Sequence, residues 1–166
     1  VGITGSSLIT AMGGNGIRMG LQIVGLPGRW FTELASPPNG EIQENLSLER
    51  RLGAIGDSAV VEALGLGAMQ ISSAPEQLRV FKSVLPDNYQ ARSDFLKMDN
   101  HYDFNKATPK IGIAIRSINN FKSGPLVALG IIDRAGDLGR IGGGIYDPPL
   151  KLFKSAIDAL DLSHEH

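Results

Sequence analysis

The sequence predicts an α+β chain, on three observations. Apolar residues recur with period two in the first and last thirds. They recur with helical spacing in the middle and at the close. The elements come in blocks, strands, then helices, then strands, then a helix. That order favours a mixed β-sheet packed with helices in a complex topology over the regular alternation of a Rossmann fold.

Taken in order, Gly13-Gly14-Asn15-Gly16 reads as a turn. The strand after it, from Ile17 to Ile23, places Ile17, Met19, Leu21 and Ile23 on one face. Pro27-Gly28 turns the chain, and Arg29 to Glu33 reads as the second strand of a hairpin. Ser36-Pro37-Pro38-Asn39-Gly40 stops regular structure, and the charged stretch from Glu41 to Arg51 reads as a surface loop or short helix. From Asp57 the spacing is helical, with Val60, Val61 and Leu64 on one face and Asp57 or Ser58 suited to the N-cap. Gly65 and Gly67 point to close packing or an early helix end.

Ser73-Ala74-Pro75-Glu76 reads as a capping box with proline in the first turn. It opens a helix that turns Leu78, Phe81 and Leu85 to the core and stops at Pro86. Asp87 to Met98 reads as a further helix and Asp99 to Lys110 as a polar loop. Ile111, Ile113 and Ile115 alternate as in a strand, and the unbroken apolar run from Leu126 to Ile132 suits a buried one. A loop from Asp133 to Arg140 leads into Ile141-Gly142-Gly143-Gly144. Asp147 then caps the last helix, with Pro148 in its first position and Leu150, Phe153, Ile157 and Leu160 as its buried stripe.

Composition narrows the function classes. The 166 residues read as a single domain or lobe. Sixteen basic and seventeen acidic residues leave a net charge of -1, too little field to draw in nucleic acid or an anionic membrane. Aromatics make up 6% of the chain and no basic stripe interleaves them, which also argues against nucleic acid. No apolar run approaches the roughly 20 residues that a membrane-spanning helix needs. The absence of cysteine excludes disulfides, thiolate nucleophiles and cysteine-ligated zinc, and fits a cytoplasmic location. His101 lacks a second internal histidine, so no metal and no cofactor is expected. Val1-Gly2-Ile3-Thr4-Gly5 lacks a basic leader and reads as the cut edge of a longer chain, residues 1–166 being its C-terminal fragment.

The strongest local feature is Ile55-Gly56-Asp57-Ser58. A glycine there leads into a helix start, where free N–H groups hold an anion or a carboxylate cap fills the same place. On the functional alternative Asp57 is a general base or a ligand to a substrate donor, with Glu62 deeper on the same helix. Gly142, Gly143 and Gly144 suit either a phosphate-cradling loop or a tight strand-to-helix connection, without the Lys-Ser/Thr of a P-loop. Arg29 can bind a carboxylate or phosphate through two parallel hydrogen bonds. Trp30, beside Thr32, walls a pocket or fills core, and the Asn15 amide is free either to bind a ligand or to serve a plain turn.

Several segments together carry a resemblance. They are Asn15-Gly16 with the strand after it, Arg29-Trp30-Phe31-Thr32, Ile55-Gly56-Asp57-Ser58-Ala59-Val60-Val61-Glu62, Ala74-Pro75, and Gly139-Arg140-Ile141-Gly142-Gly143-Gly144 with Pro148-Pro149. In order and spacing the chain resembles the C-terminal part of the YlbE/YahG-like bacterial family, from about Leu8 to Leu160. The resemblance implies a subunit of a carbamoyltransferase-type enzyme, as in oxamate carbamoyltransferase, acting in purine and allantoin nitrogen catabolism. It implies a small anionic substrate, carbamoyl phosphate or an oxo-acid amide, and operon-encoded partner subunits. Asp57 and Glu62 would be catalytic. Arg29, Thr32, Asn15, Gly56, Ser58 and Gly142 to Gly144 would bind substrate at one pocket. The rival expectations are a non-catalytic scaffold or small-anion-binding module, and a stand-alone hydrolase. An apolar surface left by missing chain would favour a homodimer.

Overall fold

The computed structural model describes residues 3, 5–56, 59–98, 110–121 and 123–163. In chain order they form β1 (Ile9–Asn15), β2 (Arg18–Ile23), β3 (Phe31–Leu34), β4 (Asn39–Ile42) and β5 (Ile55–Gly56). Helices α1 (Ala59–Ala63) and α2 (Pro75–Phe81) follow, then β6 (Leu96–Met98), β7 (Ile111–Ile113) and α3 (Ile115–Phe121). The hairpin of β8 (Val127–Ile132) and β9 (Arg140–Tyr146) precedes the long α4 (Leu150–Leu162). The α+β class holds. Every strand pairing among the described residues is antiparallel, so the sheet expected to be mixed contains no parallel pair there.

One sheet has the order β3-β2-β1-β5, a second β4-β9-β8, and β6 pairs with β7. The β1–β2 hairpin follows from Asn15-Gly16. The Asn15 Oδ1 accepts the N–H groups of Ile17 (3.0 Å) and Arg18 (2.8 Å), and Gly16 takes φ +86°, which side chains disfavour. Period two then sends Met19, Leu21 and Ile23 inward, all fully buried. Ile17 lies outside the strand and is exposed, unlike the face assigned to it. Helix α4 lays Leu152, Phe153, Ala156, Ile157 and Leu160 into the core and packs against β2 and β3. Each large side chain buried this way contributes about 1.5–3 kcal/mol.

The structure corrects several expectations. Asn39 to Ile42 is a strand, because its backbone pairs with β9 from Gly40↔Gly144 to Ile42↔Gly142. Ile115 opens α3 instead of extending β7. The stretch read as a helix before Met98 is a 3-10 turn at Ala91–Phe95 followed by β6. Proline does start α2, but the cap residue is Ala74, which offers no side-chain bond. The cap of α4 is Pro149, and Leu150 is exposed.

A buried aspartate ties the β8–β9 turn to the 3-10 turn at Leu48–Arg50. Arg50 grips Asp133 through Nε (2.8 Å) and Nη2 (2.6 Å), and the N–H groups of Asp137 and Leu138 donate to Oδ2, each at 3.2 Å. The guanidinium holds the Asp133 carboxyl well below the ordinary value of 3.8, against the opposing effect of burial. A depressed acid stabilises above its unfolded value and loses that contribution as pH falls through its folded one. Asp133→Asn is therefore expected to melt below the wild type at pH 6, with the gap narrowing by pH 3 in thermal scans. A gap that widens on acidification would contradict this account.

Candidate functional site

The outer face of the β3-β2-β1-β5 sheet carries a cavity of about 800 Å³. Its form follows from register. Gly13 on β1 pairs with Gly20 on β2, and Gly20 pairs with Thr32 on β3, so one row across the sheet holds two adjacent residues without side chains. Paired residues of antiparallel strands share a face, so this row lies opposite the buried Met12, Leu21 and Phe31. Trp30 lies against Gly20, where an added Cβ would stand 3.0 Å from its Cε3. The indole remains 51% exposed. Arg18, Asn15, Thr32, Ile55 and Gly56 complete the rim.

The rim offers complementary chemistry. Arg18 is exposed and pairs with no carboxylate among the described residues, leaving its planar donors for a ligand. The Asn15 oxygen is held by the turn, which directs the side chain and leaves its NH₂ without a partner among the described residues. Thr32 presents a hydroxyl, Trp30 an apolar wall, and Gly56 a backbone at φ +144°.

Of the residues singled out from sequence, the structure brings Asn15, Thr32 and Gly56 together. Asp57 and Ser58 lie outside the described residues, as does His101. The other expectations are corrected. Arg29 does not line the cavity; its guanidinium lies over the ring of Phe31, 5.0 Å from the centroid. Glu62 is buried away from the cavity, 3% exposed. Its oxygens accept the N–H groups of Ala68 (2.7 Å) and Ala128 (2.8 Å). Burial pushes its carboxyl up to about 7, against those two bonds.

Gly142, Gly143 and Gly144 form no cradle. They lie within β9, flanked by β4 and β8, with their backbone in the ladders. A Cβ at Gly142 would collide with the Glu41 carbonyl oxygen, and one at Gly144 would stand 2.5 Å from that of Asn39. Close strand approach explains Gly142 and Gly144, whereas a Cβ at Gly143 would stand 3.2 Å from the Arg140 guanidinium. Arg18 was missed from sequence, although the Asn15-Gly16 turn carries the signal, since it fixes the register that puts Arg18 and Gly20 on one face.

The comparisons with known proteins bear on this geometry. The family model described as AllG, oxamate carbamoyltransferase subunit AllG, matches residues 1–58. The oxamate carbamoyltransferase subunit AllG of Escherichia coli (strain K12) is 31% identical, over 95% of this chain and 40% of that protein. The chain is related to the AllG and YahG proteins. The uncharacterized protein YahG of the same organism is 28% identical over 94% of this chain and 34% of its own length. The chain thus spans less than half the length of AllG and of YahG. A crystal structure of a conserved protein of unknown function from Enterococcus faecalis V583 superposes with a TM-score of 0.82 at 23% identity, over 96% of this chain and 40% of that one. That likeness establishes a shared fold. Among the described residues, no helix is long and apolar enough to cross a membrane.

Proposed function

We propose that the chain is part of a carbamoyltransferase-type enzyme subunit in purine and allantoin nitrogen catabolism. In this reading the outer-face cavity holds a small anionic substrate of the oxamate kind. The observation that carries it is the cavity itself, where one guanidinium and two neutral polar side chains surround a patch of bare backbone beside an indole. The AllG likeness supplies the chemical class. Arg18 would hold the carboxylate through two charge-assisted bonds, and Asn15 and Thr32 would orient the amide.

In the transfer, the substrate amide nitrogen bonds to the carbamoyl carbon of carbamoyl phosphate. The bond from that carbon to the phosphate oxygen breaks, phosphate leaves with the electron pair, and the nitrogen loses a proton. Asp57 is our proposed acceptor of that proton, because it follows the cavity residue Gly56 in sequence. Operon-encoded partner subunits would supply the rest of the site.

The test is carbamoyl transfer to oxamate by the full-length protein reconstituted with its partner subunits. Arg18→Gln should lower kcat/KM about a hundredfold, the effect of losing a charged pair of bonds. Unchanged kcat/KM would refute the assignment. A second reading, a non-catalytic anion-binding module, is favoured by the absence of any carboxylate or imidazole from the cavity lining among the described residues. Asp57→Asn separates the two. Loss of transfer with oxamate still bound supports catalysis, and transfer unchanged supports the module.

A further inference from the structure

We infer that Gly13 is the contact floor of the cavity and selects its ligand by shape, admitting a short, flat carboxylate laid on the peptide plane and not a tetrahedral phosphate. This rests on the reading above and deepens it.

Glycine inside a strand weakens it, and usually marks a bulge, a sharp turn or a close approach. Most glycines here have such a reason within the fold. Gly14 meets the Ala54 carbonyl, Gly25 the Ser6 carbonyl, and Gly40 the Gly143 carbonyl. Gly16, Gly28, Gly65, Gly136 and Gly139 take positive φ. Gly13 alone among the described glycines has neither a positive φ nor any atom within 4 Å of where a Cβ would stand. The protein itself thus gives no reason for the missing side chain, and the space above Gly13 is the cavity.

The surroundings define what fits there. Gly20, across the ladder, is covered by Trp30, so the indole edge bounds one side of the bare patch. Asn15 lies two residues along β1, and Arg18 lies diagonally across on β2. Strand peptide groups point sideways into the ladders, and β1 lies between β2 and β5. The floor therefore presents flat peptide planes and no row of N–H donors. A phosphate dianion is usually held by such a row or by several cations. Arg18 is the one cation lining this cavity among the described residues. A planar acid suits the site, with its carboxylate on Arg18 and its face on the peptide. The cavity is far larger than a two-carbon acid, which leaves room for a partner subunit's surface to bring the carbamoyl donor up beside it.

Calorimetry on the full-length protein assembled with its partner subunits tests this, with oxamate, oxalate and inorganic phosphate as probes. Gly13→Ala should weaken oxamate about tenfold through crowding, and Gly13→Val should abolish measurable binding. The melting midpoint of Gly13→Ala should stay level or rise slightly, since a compatible backbone gains from the added methyl. Gly130→Ala, a strand glycine of β8 outside the cavity, should bind as the wild type. Phosphate should not displace oxamate. Unchanged affinity in Gly13→Ala, a large fall in its midpoint, or displacement by phosphate would overturn the inference. If Arg18→Gln loses oxamate while Gly13→Ala keeps it, the functional reading stands and the Gly13 assignment falls. If the wild type binds neither oxamate nor oxalate, both fall.

Discussion

Glu62→Ala is expected to destabilise the fold by about 3–4 kcal/mol, because it removes the acceptor of the buried Ala68 N–H and of the half-buried Ala128 N–H and opens a void. Glu62 joins α1 to the nearby 3-10 turn at Ala68 and to β8, distant in sequence, at Ala128. Gly67 lets the carboxylate approach, since a Cβ there would collide with it. The pH dependence of this residue is the sharper test. Its ordinary value of 4.5 rises to about 7 in the folded state, chiefly through burial. An acid raised on folding binds extra protons in the native state between those values. Its contribution therefore weakens as pH climbs from about 4.5 to about 7, by up to about 3 kcal/mol. Glu62→Gln cannot titrate. Denaturant unfolding should show the wild type's advantage over Glu62→Gln shrinking between pH 5 and pH 8. An advantage that grows with pH would mean that the two N–H bonds outweigh burial and hold the carboxylate charged.

Arg92→Ala should cost about 2–4 kcal/mol, because it empties a buried volume and leaves the Gly124 carbonyl without its donor. Arg92 is 3% exposed. Its guanidinium donates to both Asp147 oxygens at 2.7 Å, to the Gly124 carbonyl at 2.9 Å and to Asn88 Oδ1 at 3.0 Å. It thereby fastens the 3-10 turn at Ala91–Phe95 to the end of β9 and the entry to β8. Arg92→Lys keeps the charge but loses the planar fork, and should recover less than half of the loss. Arg92→Met fills the volume, and the half-exposed Asp147 can turn to water, so this variant should be milder than alanine. Urea titration orders the three. An alanine variant within about 0.5 kcal/mol of the wild type, as at an ordinary surface position, would show that the network holds nothing together.

The parts of the fold legible in the sequence are those decided locally. Asn15-Gly16 fixes a turn by its own side chain, Met19-Leu21-Ile23 by alternation, and α4 by its stripe. The illegible parts depend on distant partners. Nothing local marks Asn39 to Ile42 as a strand, since its pairing lies with β9. Gly142 to Gly144 resemble a loop until β4 and β8 are seen on either side. Ile115 continues the alternation of Ile111 and Ile113, yet the chain bends into a helix there. The site divides the same way. Asn15, Thr32 and Gly56 reach the cavity, but choosing between Arg18 and Arg29 required knowing which face Phe31 takes. Glu62 looked reactive because its acceptors' partners, Ala68 and Ala128, could not be read from its neighbours.

The indole beside the glycine patch has an optical consequence. It is the single tryptophan among these 166 residues and it stands half in water. Any molecule settling on the patch must dry one edge of that ring, so the chain's ultraviolet emission should shift to shorter wavelength as the hollow fills, without an attached dye.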